Sequence, residues 1–140
     1  MELLISFPGG KRVDATVGGH VVQTDQPVEA GGGDTAVAPF DLFLASLGTC
    51  AGIYVLGFCQ ARGISTDGLD LVERVQSDPV THLPTQIELE LRLPAGFPER
   101  YRAAVQRAAE HCKVKHMLAA PPAVRVMVAS DAASAVVGVH

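Results

Sequence analysis

Apolar and polar positions along the chain change period four times. Residues 3–7 are apolar, residues 12–17 alternate, and residues 20–24 follow, with Pro8-Gly9-Gly10 and Gly18-Gly19 at the reversals. Short runs at hairpin spacing with glycine between them predict a three-stranded meander. Residues 25–38, with Pro27 and Gly31-Gly32-Gly33, read as a loop. A helix is expected from Pro39, a residue suited to a first turn, to Arg62, with Gly63 as its stop. It is apolar on every side and carries Gly48, Gly52 and Gly57, which fits a buried helix closely approached by a second helix, its symmetry mate being one candidate. Residues 69–76 and 87–93 read as strands, the second alternating so regularly that one face is wet. From Glu99 an amphipathic helix puts Tyr101, Ala104, Val105, Ala108 and Cys112 on one face. A short helical segment at residues 114–119 is stopped by Pro121-Pro122, and residues 124–129 alternate as a last strand. The pattern fits one α+β domain over residues 1–140, its tail from about residue 131 weakly structured.

Composition narrows the function. The chain has 140 residues, 48% of them hydrophobic, which is ample for a core. A net charge of -4 and 5% aromatic residues argue against a nucleic-acid partner. Residues 42–61 carry no formal charge and could span a bilayer by length. The run holds three glycines and several polar residues, and no lysine or arginine clusters beside it, so a core helix is the better reading. The N-terminus lacks a basic segment and a cleavage site, so a reducing cytosol is expected.

Three cysteines are the chemical candidates. Cys50 is either a small hydrophobe of the core helix or a nucleophile. Cys59 is nine residues later, about half a turn around the helix, and reads as packing. Cys112 sits in His111-Cys112-Lys113-Val114-Lys115-His116, where basic neighbours either favour a thiolate or answer a helix C-terminus. Cys112 and His116, with Cys50 or His20, form the best metal set, but no CxxC or HxxxH supports it, and no bound cofactor or metal is expected. Neither a phosphate-loop pattern nor GxSxG is present.

Three segments together resemble the family of osmotically induced protein C and the organic hydroperoxide resistance protein (OsmC/Ohr), in its OsmC-like branch. They are Thr24-Asp25-Gln26-Pro27 with Gly31-Gly32, Ala38-Pro39-Phe40-Asp41-Leu42 through Gly48-Thr49-Cys50, and Ala109-Glu110-His111-Cys112-Lys113-Val114. The resemblance implies antiparallel sheets wrapped around long central helices in an intertwined homodimer, with active sites at the interface. It implies a thiol-dependent peroxidase: Cys50 attacks an organic hydroperoxide, Cys112 resolves the sulfenic acid as a disulfide, and a dithiol, lipoyl-linked in characterised members, reduces it. An arginine and a glutamate hold the thiolate in the hydroperoxide reductases. Here no arginine lies between Arg12 and Arg62, so Arg12 would have to serve from the meander. Asp41 matches the acidic position, although nine residues of straight helix would turn it away from Cys50 unless the helix breaks near Gly48; otherwise it serves as an N-terminal cap. His111 is a further helper, and His116 stands where relatives often carry a small polar residue. The missing arginine motivates a second reading, a non-catalytic dimer that binds a small hydrophobic ligand or acts as a redox-sensing partner.

Overall fold

A computed structural model describes residues 1–129. Strands β1 (Leu4–Gly9), β2 (Arg12–Val17) and β3 (His20–Val22) form the expected antiparallel meander. Gly18 and Gly19 both take positive φ, +53° and +80°, as a two-residue hairpin turn that follows strand twist requires. The meander packs against itself and makes no extensive contact with a helix of its own chain. Every β1 residue is exposed, Phe7 at 80% and Leu4 at 68%. An apolar strand in that state has no core to face within one copy.

The loop after β3 is tied to a single carboxylate. Asp25 is buried and accepts from the Thr35 hydroxyl at 2.7 Å and from the backbone N–H groups of Gln26, Thr35 and Gly33 at 2.8, 3.1 and 3.2 Å. These donors, the Thr35 hydroxyl first, hold its pKa down to about 2. The loop folds back so tightly that a Cβ on Gly32 would lie 1.9 Å from the Gln26 carbonyl oxygen.

Helix α1 (Pro39–Gln60) runs without a break. Leu47, Ala51, Val55 and Cys59 recur every four residues, and this is its buried stripe. It ends as Gly63 takes φ +63°, with Ile64 N–H donating to the Cys59 carbonyl and Gly63 N–H to that of Gln60. By length and mean hydropathy (1.9) α1 could cross a membrane. Here its stripe belongs to the core.

Strands β4 (Asp70–Ser77) and β5 (Pro84–Arg92) pair antiparallel, with Leu71 opposite Leu91, Glu73 opposite Leu89 and Val75 opposite Ile87. Glu73 therefore stands on the apolar face, where alternation calls for a hydrophobe. Its carboxylate meets α1 at Gly48, where a Cβ would come within 2.6 Å of Oε2, and its Oε1 is buried without a hydrogen-bond partner. The core falls into two joined clusters. Val55, Cys59, Phe97 and Val105 form one, and Leu47, Ala51 and Cys112 form the other.

Two expectations for the C-terminal third are corrected. The helix expected from Glu99 to Cys112 is shorter, a 3-10 turn (Glu99–Tyr101) followed by α2 (Arg102–Ala109), while the short helical segment expected at residues 114–119 forms as α3 (Lys113–Ala119). Glu110 and His111 close a tight turn onto the Arg107 and Ala108 carbonyls, and Cys112 takes extended backbone (φ -56°, ψ 123°), so α2 stops before the cysteine. The strand expected at residues 124–129 is not formed, because no strand lies beside it to accept its backbone groups. The expectation for the tail from residue 131 lies outside the described residues.

Burial pushes the Glu73 carboxyl above its ordinary range, opposed by a Gly48 backbone hydrogen bond. An acid whose pKa is raised on folding costs stability once pH passes its ordinary value, 4.5, and the cost grows up to the raised value. Glu73→Gln is therefore expected to stabilise the protein at pH 7, with the gain vanishing below about pH 4. Denaturant midpoints measured across that range check it; a gain independent of pH, or a loss at pH 7, would contradict it.

Candidate active site

The turn that ends α2 delivers Cys112 to α1. Cys112 is the residue that caps α3: its Sγ accepts the Lys115 N–H at 3.5 Å. The same sulfur lies 3.6 Å from the Leu47 carbonyl oxygen, in donor geometry. It is fully buried. Cys50, three residues beyond Leu47, sits beside it, half-buried.

The two sulfurs experience opposite fields. The backbone N–H of Val114 is the strongest influence on Cys50 and lowers its pKa, as does that of Lys113. The Cys112 thiol and the Lys113 charge add to them, and together they outweigh burial and lower the Cys50 pKa. Burial raises that of Cys112, and the adjacent Cys50 sulfur raises it further. The one Cys112 S–H has two acceptors within reach. The pair is thus graded, with an ionisable sulfur facing outward and a protonated one behind it. Both are free thiols.

The remaining candidates divide clearly. His111 is near the pair, its exposed ring 6.3 Å from that of Tyr54, which stands one helical turn after Cys50. Arg12 is not brought to Cys50 within the chain. It lies on β2, paired with Asp14 at 2.8 Å. Asp41 is exposed in the first turn of α1, and with the helix continuous through Gly48 it faces away from Cys50. It makes no capping hydrogen bond, since Ala38 holds the cap position, and its contribution is a negative charge at the helix start. Cys59 packs in the core, its pKa raised by burial. His116 donates its backbone N–H to the Cys112 carbonyl, and His20 lies away on the meander. Among the described residues no three His, Cys, Asp or Glu side chains converge on a point. Sequence reasoning missed Tyr54 and the α3 amides. Tyr54 is four residues after Cys50, a spacing that places it on the same helix face. Backbone amides leave no signal in residue types.

The family model for OsmC-like proteins matches residues 31–127, which include both cysteines. The chain belongs to the OsmC-like family. Solved structures share the fold. A protein of Psychrobacter arcticus 273-4 described as an osmotic stress induced and detoxification response protein is 19% identical, with a TM-score of 0.65 over 81% of this chain and 85% of its own. An OsmC-like protein of Mycoplasma pneumoniae is 13% identical, with a TM-score of 0.63 over 86% and 87%. The organic hydroperoxide resistance protein OsmC of Legionella pneumophila is 19% identical, with a TM-score of 0.52 over 85% and 88%. No curated protein sequence matches. At these identities the structural likeness carries the fold alone.

The graded thiols of this OsmC-like chain predict graded alkylation. With iodoacetamide, Cys50 is expected to react first, its rate rising through a midpoint below the ordinary thiol value, with Cys112 and Cys59 following only at higher pH. Peptide mapping against pH checks this; equal rates for Cys50 and Cys59 would contradict it.

Proposed function

We propose that the protein is a thiol-dependent peroxidase that reduces organic hydroperoxides. The observation that carries this reading is the adjacency of a stabilised Cys50 sulfur to the protonated thiol of Cys112. The Cys50 thiolate attacks one oxygen of ROOH, the O–O bond breaks, and the departing alkoxide takes a proton to become ROH. Cys50 is left as a sulfenic acid. The Cys112 sulfur displaces its hydroxyl, which leaves as water with the Cys112 proton, and a Cys50–Cys112 disulfide remains. An external dithiol, lipoyl-linked or similar, returns both thiols by exchange and leaves as its own disulfide. A buried resolving thiol beside the nucleophile limits over-oxidation.

The active unit in this reading is a homodimer in a reducing cytosol. Ile53, at 60% exposure, and Leu56 on α1, with Leu4 and Phe7 on β1, leave apolar surface that a second copy would cover. Cys50 lies on the flank of α1 next to that surface. The engagement of Arg12 with Asp14 favours the second reading, a dimer that binds a hydrophobic ligand or senses redox state, since no arginine then holds the thiolate.

Turnover separates the two. With dihydrolipoamide as reductant, cumene hydroperoxide is expected to be consumed faster than hydrogen peroxide. Cys50→Ser should abolish consumption, and Cys112→Ser should leave a single turnover that stops at the sulfenic acid. No consumption above that of the free dithiol would remove the peroxidase reading. Sedimentation as a dilution-stable 14.7 kDa monomer would remove the dimer.

A further inference from the structure

The start of helix α3 leans on the two sulfurs of the site. The first N–H groups of a helix have no carbonyl partner within it. In α3 the Lys115 N–H goes to the Cys112 sulfur at 3.5 Å, and the amides of Lys113 and Val114 favour the Cys50 thiolate. His116 donates its backbone N–H to the Cys112 carbonyl at 3.1 Å, so the helix begins on that cysteine's backbone as well. No acidic residue stands in the first turn. Lys113 and Lys115 put positive charge there instead, the sign that the helix dipole disfavours. None of the seven residues is buried, and half-buried Val114 packs against the cluster of Leu47, Ala51 and Cys112. A helix of this length does not hold itself in water.

Oxidation of the pair removes the sulfur supports together. Both thiols are free in this structure. Joining them passes two electrons and two protons to the hydroperoxide, which leaves as alcohol and water. The Cys112 S–H, which lies 3.6 Å from the Leu47 carbonyl oxygen in donor geometry, is then gone. The Cys50 sulfur no longer carries the charge that the Lys113 and Val114 amides favour. The Cys112 sulfur closes to about 2.05 Å from that of Cys50, and a neutral disulfide sulfur is a weak acceptor for the Lys115 N–H. Cys112 is fully buried beside Val114, so α3 is part of what covers its sulfur from an external dithiol.

We infer that α3 is a redox-linked lid: the reduced pair holds it closed, and the Cys50–Cys112 disulfide releases it so that an external dithiol can reach the bond. Release presupposes the proposed two-thiol chemistry, and diamide separates the two, since it takes two hydrogens from a pair of thiols and forms the disulfide without a peroxide. Full-length protein, reduced or diamide-treated with its pairing checked by peptide mapping, is compared by amide hydrogen exchange and by trypsin cleavage after Lys113 and Lys115. In the disulfide form, exchange at Lys115 and His116 and cleavage at both lysines are expected to rise about tenfold, where a lost cap alone gives about fivefold. Cys112→Ser keeps a capping hydroxyl and cannot form the disulfide, so its α3 should stay protected with or without diamide. Release of α3 by diamide in a protein that does not consume cumene hydroperoxide would uphold the lid and remove the peroxidase reading alone. Equal protection of α3 in the reduced and disulfide forms would overturn the lid. So would equal loosening of Cys112→Ser by diamide, or failure of diamide to join Cys50 to Cys112.

Discussion

The Val114 and Lys113 amides that favour the Cys50 thiolate are the feature on which the site depends. They join the middle of α1 to the first turn of α3, two elements that meet only because the chain breaks at Cys112. Had α2 continued through that cysteine, the amides of residues 113 and 114 would have been spent on helical carbonyls. The break frees them, and the sulfur that caps α3 becomes the neighbour of the sulfur they stabilise. The capping of α3 and the pairing with Cys50 therefore draw on one residue, whose extended backbone sets the boundary between α2 and α3.

The rest of the fold supports that contact from both sides. The stripe Leu47, Ala51, Val55 and Cys59 fixes the rotation of α1 and so turns Cys50 towards α3. Glu73 presses on Gly48 from the sheet side, two residues before Cys50, with one carboxylate oxygen left without a partner. A buried acid at that place costs stability, and the glycine opposite it is the accommodation. The meander contributes little to its own chain's core, and its apolar strand β1 is exposed.

Much of this was legible in the sequence where period and punctuation agree. The meander, the 22-residue α1 with Pro39 at its start and Gly63 past its end, and the β4–β5 hairpin all follow from alternation, helical spacing and turn residues. Glu73 escaped because a charged residue in a strand reads as solvent-facing. The break before Cys112 escaped because Ala108 and Cys112 keep helical spacing across it, and the signal for the break is a backbone angle. Residues 124–129 have the pattern of a strand, but strand formation depends on a free edge that the pattern cannot supply. Cys50 and Cys112 were found by residue type and family motif, while their opposite acidities required the α3 amides. Arg12 and Asp41 were proposed by analogy, and the unbroken helix and the Asp14 ion pair place them elsewhere within the chain.

The proposed peroxidase requires Cys50 and Cys112 to act as one redox pair. Mass-spectrometric mapping of the cysteines after one equivalent of cumene hydroperoxide, added to the fully reduced protein, tests this most directly. A rapid Cys50–Cys112 disulfide that is absent in Cys50→Ser is expected, with Cys59 still reduced. Slow oxidation spread over all three thiols, or no reaction, would contradict it.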